Sequence, residues 1–436
     1  MKRPVVITLL VMALAFVCLG IGAVIFFAVD GGFPSTNPFD MQNISSQLEE
    51  NKILKVDAEK PTTLNVATAA GSVNVRGANV ETVQVRVVKT ARASSQARAD
   101  EEVKGIKYSI EQTGNTINIR YELPQSVNLN NNINTVDFDV TVPNEVTVNV
   151  DGSMGEVDVA GTKGNVDINN DFGDVTIEDI EGALTVQTNS GNVNAISIVA
   201  GEENIDLRSD FGGVTLEKAG GKDIVLDSNS GTITLSEVRA TGGLTTSTDF
   251  GNTKFENGSA DSLHIETNSG EVSLVRITIR GEIFVKDDFG NIELEQALAN
   301  SYDLHANSGT IEVDGAKGEL KADSDFGNIT IRNAQGVTLT AETNSGTVEF
   351  SGSLGPGPHR VKSDFGGIEL TLPADSKLNV DLSTAFGSIT SDIPITVTLN
   401  GSSNSDGDEI VGSINGGGEQ FTAQTNSGSV TIRASQ

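Results

Sequence analysis

Residues 166–191 read VDINNDFGDVTIEDIEGALTVQTNSG, and the same pattern recurs through most of the chain. Two tripeptides alternate in it, Asp-Phe-Gly at residues 171–173 and Asn-Ser-Gly at residues 189–191. From Gly173 to Gly366 the last glycine of each tripeptide recurs at a mean interval of about 19 residues. A fixed period of this length is typical of solenoids, in which each repeat stacks on its neighbours.

Apolar residues alternate with polar ones on both sides of each glycine. Val166 and Ile168 precede Gly173, and Val175 and Ile177 follow it. A period of two indicates a strand with one buried face, and a glycine between two strands indicates a corner. We therefore predict an all-β fold, a parallel β-solenoid (β-helix) of about sixteen two-strand coils of about 19 residues. A coil of about 39 residues that holds both tripeptides is the alternative that the sequence leaves open.

Stacking places equivalent residues of successive coils in columns. The residue two before each glycine alternates between Asp and Asn, which we interpret as turn chemistry with relieved charge repulsion. The residue directly before each glycine alternates between Phe and Ser. Its parity matches the core positions, so we predict that Phe250 fills a corner while Ser269 makes room beside it. Calcium binding by Asp210, Asp249 and Asp288 is the competing hypothesis for the acidic column.

The N-terminal residues predict a membrane anchor. Val5–Val29 contains a single polar side chain, Thr8, and follows Lys2 and Arg3. As a helix this segment is long enough to cross a hydrocarbon core of about 30 Å. The basic residues favour a cytoplasmic N-terminus, so we predict a single-pass protein of the cell membrane with the bulk of the chain extracytoplasmic. Cys18, the one cysteine, is then a thiol within the membrane helix.

Composition excludes several classes of protein. The chain of 436 residues has a net charge of −30, and a surface this acidic repels nucleic acid and anionic lipid. A single cysteine excludes an intrachain disulfide. Tryptophan is absent and 17 Phe accompany 47 Gly, which favours a thin aliphatic core over a wide aromatic one.

The pattern divides the chain into four regions. We predict a transmembrane signal anchor at 1–29, a flexible linker at 30–50, a first coil plus an α/β insertion at 51–150, and a repetitive β-solenoid at 151–436. The insertion contains three predicted elements: a helix from Ala91 to about Lys104, a hairpin from Tyr108 to Tyr121, and a strand from Val136 to Val142.

No constellation of catalytic residues is evident. His264, His305 and His359 occupy three different register positions and form no column, and His359 takes a normally apolar slot. Asp-Phe-Gly occurs without the glycine-rich loop of protein kinases, so we interpret it as turn chemistry. A polysaccharide-degrading enzyme needs acids or bases clustered in one groove. We therefore predict no catalytic, cofactor-binding or metal-binding residues.

The chain resembles the bacterial "putative adhesin" domains of unknown function with β-strand repeats. The resemblance covers roughly residues 50–436, and it rests on the repeated tripeptides together with residues 64–66, 71–75, 138–143, 412–418 and 426–428. It implies a β-solenoid at the bacterial cell surface, sometimes tied to envelope-stress signalling. It implies no catalytic residues.

These observations favour a surface scaffold or adhesin-like binding protein without catalytic activity. Its expected partners are the membrane, through the N-terminal helix, and a surface glycan or protein, but no nucleic acid. A regulatory ectodomain in cell-envelope stress sensing is the alternative, and a carbohydrate-active β-helix enzyme is the third possibility. A neighbouring gene for a kinase or regulator would favour the regulatory ectodomain.

Overall fold

A computed structural model describes residues 44–123, 133–397 and 408–435. The described residues form 39 β-strands and one α-helix, and hydrogen bonds link the strands into one continuous sheet. The predicted anchor Val5–Val29 lies outside these residues. No helix within them is long and apolar enough to cross a membrane.

The N-terminal region contains nine strands and the helix. They are β1 Ile44–Lys55, β2 Thr62–Thr68, β3 Val73–Ala78, β4 Thr82–Ala93, α1 Gln96–Gly105, β5 Tyr108–Thr113, β6 Thr116–Tyr121, β7 Thr135–Pro143, β8 Val146–Met154 and β9 Val157–Ala160. β5 and β6 pair as an antiparallel hairpin, and β7 contains the expected strand. The helix begins later than expected, because β4 continues to Ala93 and the Ser95 side chain caps α1 by accepting a bond from the Arg98 amide. β1 begins at Ile44, inside the predicted linker.

Layers at this end do not follow chain order. β2 pairs in parallel with both β6 and β8, and β3 pairs in parallel with both β7 and β9. The pair β2–β3 therefore lies between two layers that come later in the sequence. β4 runs antiparallel to β7. Residues of the predicted insertion thus supply stacked layers of the solenoid.

The middle of the chain forms a parallel β-solenoid of about 11 turns. Its strands are β10 Val166–Phe172, β11 Val175–Glu181, β12 Leu184–Ser190, β13 Val193–Val199, β14 Ile205–Phe211, β15 Val214–Gly221, β16 Ile224–Ser230, β17 Ile233–Ser236, β18 Arg239–Ala240, β19 Gly243–Phe250, β20 Thr253–Glu256, β21 Ser259–Ala260, β22 Ser262–Ser269, β23 Val272–Val275, β24 Thr278–Ile279, β25 Glu282–Asp287, β26 Ile292–Glu295, β27 Ser301–Ala306, β28 Ile311–Asp314, β29 Gly318–Phe326, β30 Ile329–Ser345, β31 Val348–Leu354, β32 His359–Phe365 and β33 Ile368–Pro373.

Strand register defines the length of a turn. Leu184 pairs with Val166 on one side and with Ile205 on the other, so each turn holds about 19 residues and one tripeptide. The alternative of a 39-residue coil is therefore wrong. The predicted number of about sixteen coils is also wrong, because about 11 turns follow one another. The layers at the two ends are assembled out of chain order.

Stacking explains the glycine in each tripeptide. A Cβ atom on Gly191 would lie 2.1 Å from the carbonyl oxygen of Gly173 in the adjacent turn. Gly173 also has a φ of 131°, a conformation that favours glycine. The main chain of one corner thus lies directly against the main chain of the next.

The two-strand coil implies a second corner in each turn, but the sequence pattern did not locate it. In the turns from Gly155 to Gly346 this corner lies at a residue with positive φ. A residue with positive φ lies six positions after the tripeptide glycine, and eight such residues are not glycine: Asp179, Ser197, Lys218, Glu237, Asn257, Arg276, Gln296 and Asn333. The chain turns there so that the following residue faces the core again, as Ile180 and Ile198 do with no exposed surface. β18, β21 and β24 add a short third strand after this corner, so these turns differ from the predicted two-strand coil.

The C-terminal end again departs from chain order. It contains β34 Leu378–Phe386, β35 Ile389–Ser391, β36 Ile395–Val397, β37 Asp408–Ile414, β38 Glu419–Ser427 and β39 Val430–Ser435. β38 pairs in parallel with both β32 and β34, and β39 pairs with both β33 and β35. The last strands of the chain therefore lie between β32–β33 and β34–β35. β37 runs antiparallel to β34 and β36.

Candidate functional site

Phenylalanines form a row along one corner of the solenoid, and they face solvent. Their exposed fractions run from 54% at the first to 77% at the last. The prediction that these side chains plug the corners is therefore wrong. We call this row the edge ladder; it consists of Phe172, Phe211, Phe250, Phe289, Phe326, Phe365 and Phe386.

A break in the strand alternation turns these side chains outward. In β10 Asn170 is buried, but the next two residues, Asp171 and Phe172, are both exposed. The pairing of β10 with β12 skips Asp171, so the alternation of inward-facing and outward-facing side chains shifts by one residue there. The side chain that faces the core at the corner is the small polar residue three positions before the glycine. Ser209 is an example, and its hydroxyl donates to the Gly191 carbonyl at 2.8 Å.

Phenylalanine and serine alternate along the edge ladder. Phe172 pairs with Ser190, which in turn pairs with Phe211. A phenylalanine therefore occurs at every second turn, about 9.6 Å from the next at a strand spacing of about 4.8 Å. Aromatic rings pair at centroid distances of about 4.5–7 Å, so each ring is an isolated apolar platform.

The C-terminal crossover preserves this alternation. In the sequence Phe365 is followed by Phe386, and Ser427 comes last. In space Ser427 pairs with both Phe365 and Phe386, so its layer lies between the layers of the two phenylalanines. The order of the layers, rather than the order of the chain, thus maintains a phenylalanine at every second turn.

The acidic column lies beside the edge ladder. The Asn344 side-chain amide donates to the Asp325 carboxylate at 2.7 Å, and Asn426 donates to Asp364 at 3.4 Å. Asp210 and Asp249 lie two turns apart, about 9.6 Å, whereas Ca²⁺ binds oxygen at about 2.3–2.6 Å. Successive aspartates of the column are therefore too far apart to share one ion. Within the described residues no group of three or more Asp, Glu, His or Cys is placed to hold a metal.

One buried carboxylic acid interrupts a column of hydroxyls. Most turns place Ser or Thr three residues before the glycine, but one turn has Asp287, with no exposed surface. Its Oδ1 accepts the Phe289 amide at 3.1 Å, while Oδ2 has no hydrogen-bond partner. Burial, with a smaller contribution from the charge of Asp288, raises the pKa of Asp287 to about 7.

Two of the three histidines meet through an aromatic ring. Although they form no column, the His264 ring stacks on Phe284 with centroids 4.5 Å apart, and His305 lies 6.0 Å from Phe284 on the other side. His305 also contacts Asp303 at 2.7 Å, and Lys321 lies 2.9 Å from the same carboxylate. This cluster occupies an open face of the solenoid. Phe284, Asp303 and Lys321 continue the register column of His264, whereas His305 lies two residues further along its strand. A comparison of the histidines alone therefore does not reveal the cluster.

The third histidine is a buried strand residue. His359 is 1% exposed, accepts the Leu339 amide at Nδ1 and donates from Nε2 to the Gly355 carbonyl. Burial lowers its pKa, so the neutral imidazole fills the apolar slot.

An open depression of about 580 Å³ lies on the face formed by β2, β6 and β8. Its floor is a row of asparagines, in which Asn149 donates to Asn65 at 2.7 Å and Asn65 donates to Asn118 at 2.8 Å. These side-chain amides bind one another across the layers and hold the three strands in register.

Comparisons with solved structures find three matches of low overall similarity. A "putative cell adhesion protein" from Clostridium sporogenes is 10% identical with a TM-score of 0.18, over 89% of this chain and 100% of that chain. A "putative adhesin" from Bacteroides fragilis is 15% identical with a TM-score of 0.31, over 66% and 97%. A "putative lipid binding protein" from Parabacteroides distasonis is 16% identical with a TM-score of 0.29, over 65% and 95%. Among curated proteins no match is found.

A family model accounts for nearly all of the described chain. The Toastrack DUF4097 model matches twice, at residues 61–259 and 254–433. The two matches meet within β20 and β21, and β20 pairs with β17 on one side and β23 on the other, so the solenoid continues through the junction. With both matches together covering well over half of its length, the chain belongs to the Toastrack DUF4097 family.

Proposed function

We propose that this protein is a membrane-anchored, extracytoplasmic surface scaffold that binds its partner along the edge ladder and carries out no catalysis. The exposure of the ladder carries the proposal. Phenylalanine is normally withdrawn from water, yet seven of these side chains are 54–77% exposed in one regular row. Seven exposed rings in one row offer a partner repeated contacts along a single line, which favours a binding role. The apolar segment Val5–Val29 supports the anchor.

The distribution of titratable groups supports a binding role. Catalysis by acids and bases requires such groups to converge on a substrate within a cleft. The acid with the pKa of about 7, Asp287, has no exposed surface and faces the stacked main chain. The cluster of Asp303, His305 and Lys321 lies on an open face and neutralises its own charges.

Attachment of cells that express the full chain tests the binding role. The triple variant Phe211→Ser, Phe250→Ser, Phe289→Ser removes three consecutive rings and installs at these positions the serine of the neighbouring turns. We expect unchanged expression and protease resistance, and a clear loss of cell attachment to surfaces or to other cells. Phe284→Ser is the matched control, because Phe284 lies on a face outside the ladder. Unchanged attachment of the triple variant would refute the proposal.

The membrane topology has a separate test. Protein recovered from membranes is expected to begin at or next to Met1, and protease added to intact cells is expected to digest the acidic domain. An N-terminus beyond Val29 would show that the apolar segment is removed.

A further inference from the structure

The spacing of the edge ladder restricts what it can bind. Successive phenylalanines lie about 9.6 Å apart, with a serine in the turn between them. Interfaces between proteins have a continuous apolar centre, whereas this row consists of isolated rings separated by polar groups. A ligand that contacts several rings at once must therefore repeat at the same distance. A linear polymer with a regular repeat fits this requirement.

The groups around each ring indicate the chemistry of that polymer. Next to every ring of the regular turns is an aspartate, and the intervening turn contributes the asparagine and serine of its tripeptide. The combination of an aromatic platform with carboxylate, amide and hydroxyl groups fits a pyranose sugar. Such a sugar has an apolar C–H face and equatorial hydroxyls. In an extended β-1,4-linked chain the disaccharide repeat is close to two turns of this solenoid.

Charge excludes the main competing ligands. The chain has a net charge of −30, and the ladder itself carries Asp171, Asp210, Asp249 and their equivalents in one row. Nucleic acids, anionic lipids and acidic polysaccharides are repelled by such a surface. A second copy of the chain would place two acidic rows against each other. An uncharged polymer binds to the acidic row without electrostatic repulsion.

The crossover at the C-terminus supports a selected spacing. If β34 stacked directly on β32 in chain order, Phe386 would lie next to Phe365, about 4.8 Å away. The insertion of β38 places Ser427 between them and restores the two-turn interval. Packing of the core does not require this outcome, because all three side chains lie outside it.

We infer that the edge ladder is a binding site for a neutral, extended β-1,4-linked polysaccharide, with one disaccharide unit to each phenylalanine. The inference rests on the proposed binding function and names its ligand class. Several platforms act on one chain, so affinity increases with the length of the saccharide.

Co-sedimentation of the detergent-solubilised full chain with insoluble cellulose, chitin, mannan and xylan tests the inference, with amylose, polylysine and anionic vesicles as comparisons. We expect binding to at least one β-1,4-linked polymer and competition by its soluble oligosaccharides that strengthens with length. The triple variant Phe211→Ser, Phe250→Ser, Phe289→Ser is expected to bind about 10- to 100-fold more weakly. Phe284→Ser is expected to bind as the wild type does.

A register-shift variant separates spacing from apolar content. Phe250→Ser combined with Ser269→Phe keeps seven phenylalanines but moves one ring by a single turn. We expect this double variant to bind as weakly as Phe250→Ser alone. Binding equal to the wild type would overturn the inference, as would binding to polylysine alone, a dimer that Phe250→Ser dissociates, or no binding to any of the four polymers. These failures leave the proposed function standing if the triple variant still loses cell attachment.

Discussion

The regular turns β10–β33 and the C-terminal layers β34–β39 build the same corner by different routes. In the regular turns each layer stacks on the one that precedes it in the chain. At the C-terminal end the last strands, β38 and β39, are inserted between two earlier layers. Both routes yield the same glycine contacts and the same alternation of phenylalanine and serine. The contact pattern is thus conserved along the stack even where chain order is not.

This difference has a consequence for stability. A layer in the regular turns contacts only its neighbours, so local damage remains local. β38 holds β32 on one side and β34 on the other, and β34 also carries the antiparallel strand β37. Loss of β38 therefore removes the strand that joins β34 and β37 to β32, whereas β39 still links β35 to β33.

The largest expected effect separates the two regions through buried phenylalanines. Phe421 in β38 and Phe350 in β31 are 0% and 2% exposed. Truncation to alanine is expected to cost about 3–5 kcal/mol in either place. Phe421→Ala is further expected to expose residues 378–386 and 408–414 to protease, whereas Phe350→Ala leaves them protected. Limited proteolysis with mass spectrometry measures this, and protection of these two segments in Phe421→Ala would contradict the bridging role of β38.

The second effect concerns pH and is confined to a regular turn. Burial raises the pKa of Asp287 to about 7, above the value of about 3.9 for an unfolded aspartate. The folded state therefore binds this proton more tightly, and its stabilising effect is complete below pH 4 and is lost as the pH rises through 7. Asp287→Thr installs the residue of the neighbouring turn, Thr267, and removes this dependence.

Denaturant unfolding between pH 4 and pH 8 measures the difference between wild type and Asp287→Thr. As the pH rises from 4 to 8, the variant is expected to gain on the order of 4 kcal/mol in stability relative to the wild type. Asp249→Asn, at an exposed corner position, is the control for the loss of one negative charge. Equal pH profiles of wild type and Asp287→Thr would show that the Asp287 carboxyl is not held in its protonated form.

A smaller effect compares the same hydrogen bond in both regions. The hydroxyl of Ser209 donates to the Gly191 carbonyl and that of Thr425 donates to the Gly366 carbonyl, each at 2.8 Å. Ser209→Ala and Thr425→Val each remove one such bond and are expected to cost about 1 kcal/mol. Thermal unfolding measures both. A much larger loss for Thr425→Val would mean that the crossover layer depends on this corner more strongly than the regular turns do.

The smallest expected effect comes from the largest side chains at the corner. Phe211 and Phe386 are 60% and 77% exposed, in a regular turn and in a C-terminal layer. Alanine at either position is expected to change the free energy of unfolding by less than about 0.5 kcal/mol. A loss comparable to that of Phe421→Ala would show that the edge ladder contributes to the core after all.

The sequence by itself determined the repeating unit of this protein. Its period of about 19 residues, the apolar residues such as Val166 and Ile168, and the glycine at each corner specify stacked parallel strands. Every turn makes the same contacts with its neighbours, so every repeat carries the same residues at the same positions. The alternation within each strand and the glycine required at positions such as Gly191 can therefore be recognised in each repeat separately.

Tertiary structure decided the direction of the phenylalanines, the position of the second corner and the order of the end layers. A residue that is skipped in the strand pairing, such as Asp171, reverses which of the following side chains face the core and which face solvent. The sequence does not reveal which residue is skipped. Positive φ at Lys218 or Gln296 is imposed by the closure of the turn, because neither residue favours it. β34 and β38 carry the same apolar pattern, so the pattern alone allows either strand to pair with β32. The choice depends on how the remaining strands close the end of the stack, which no single repeat encodes.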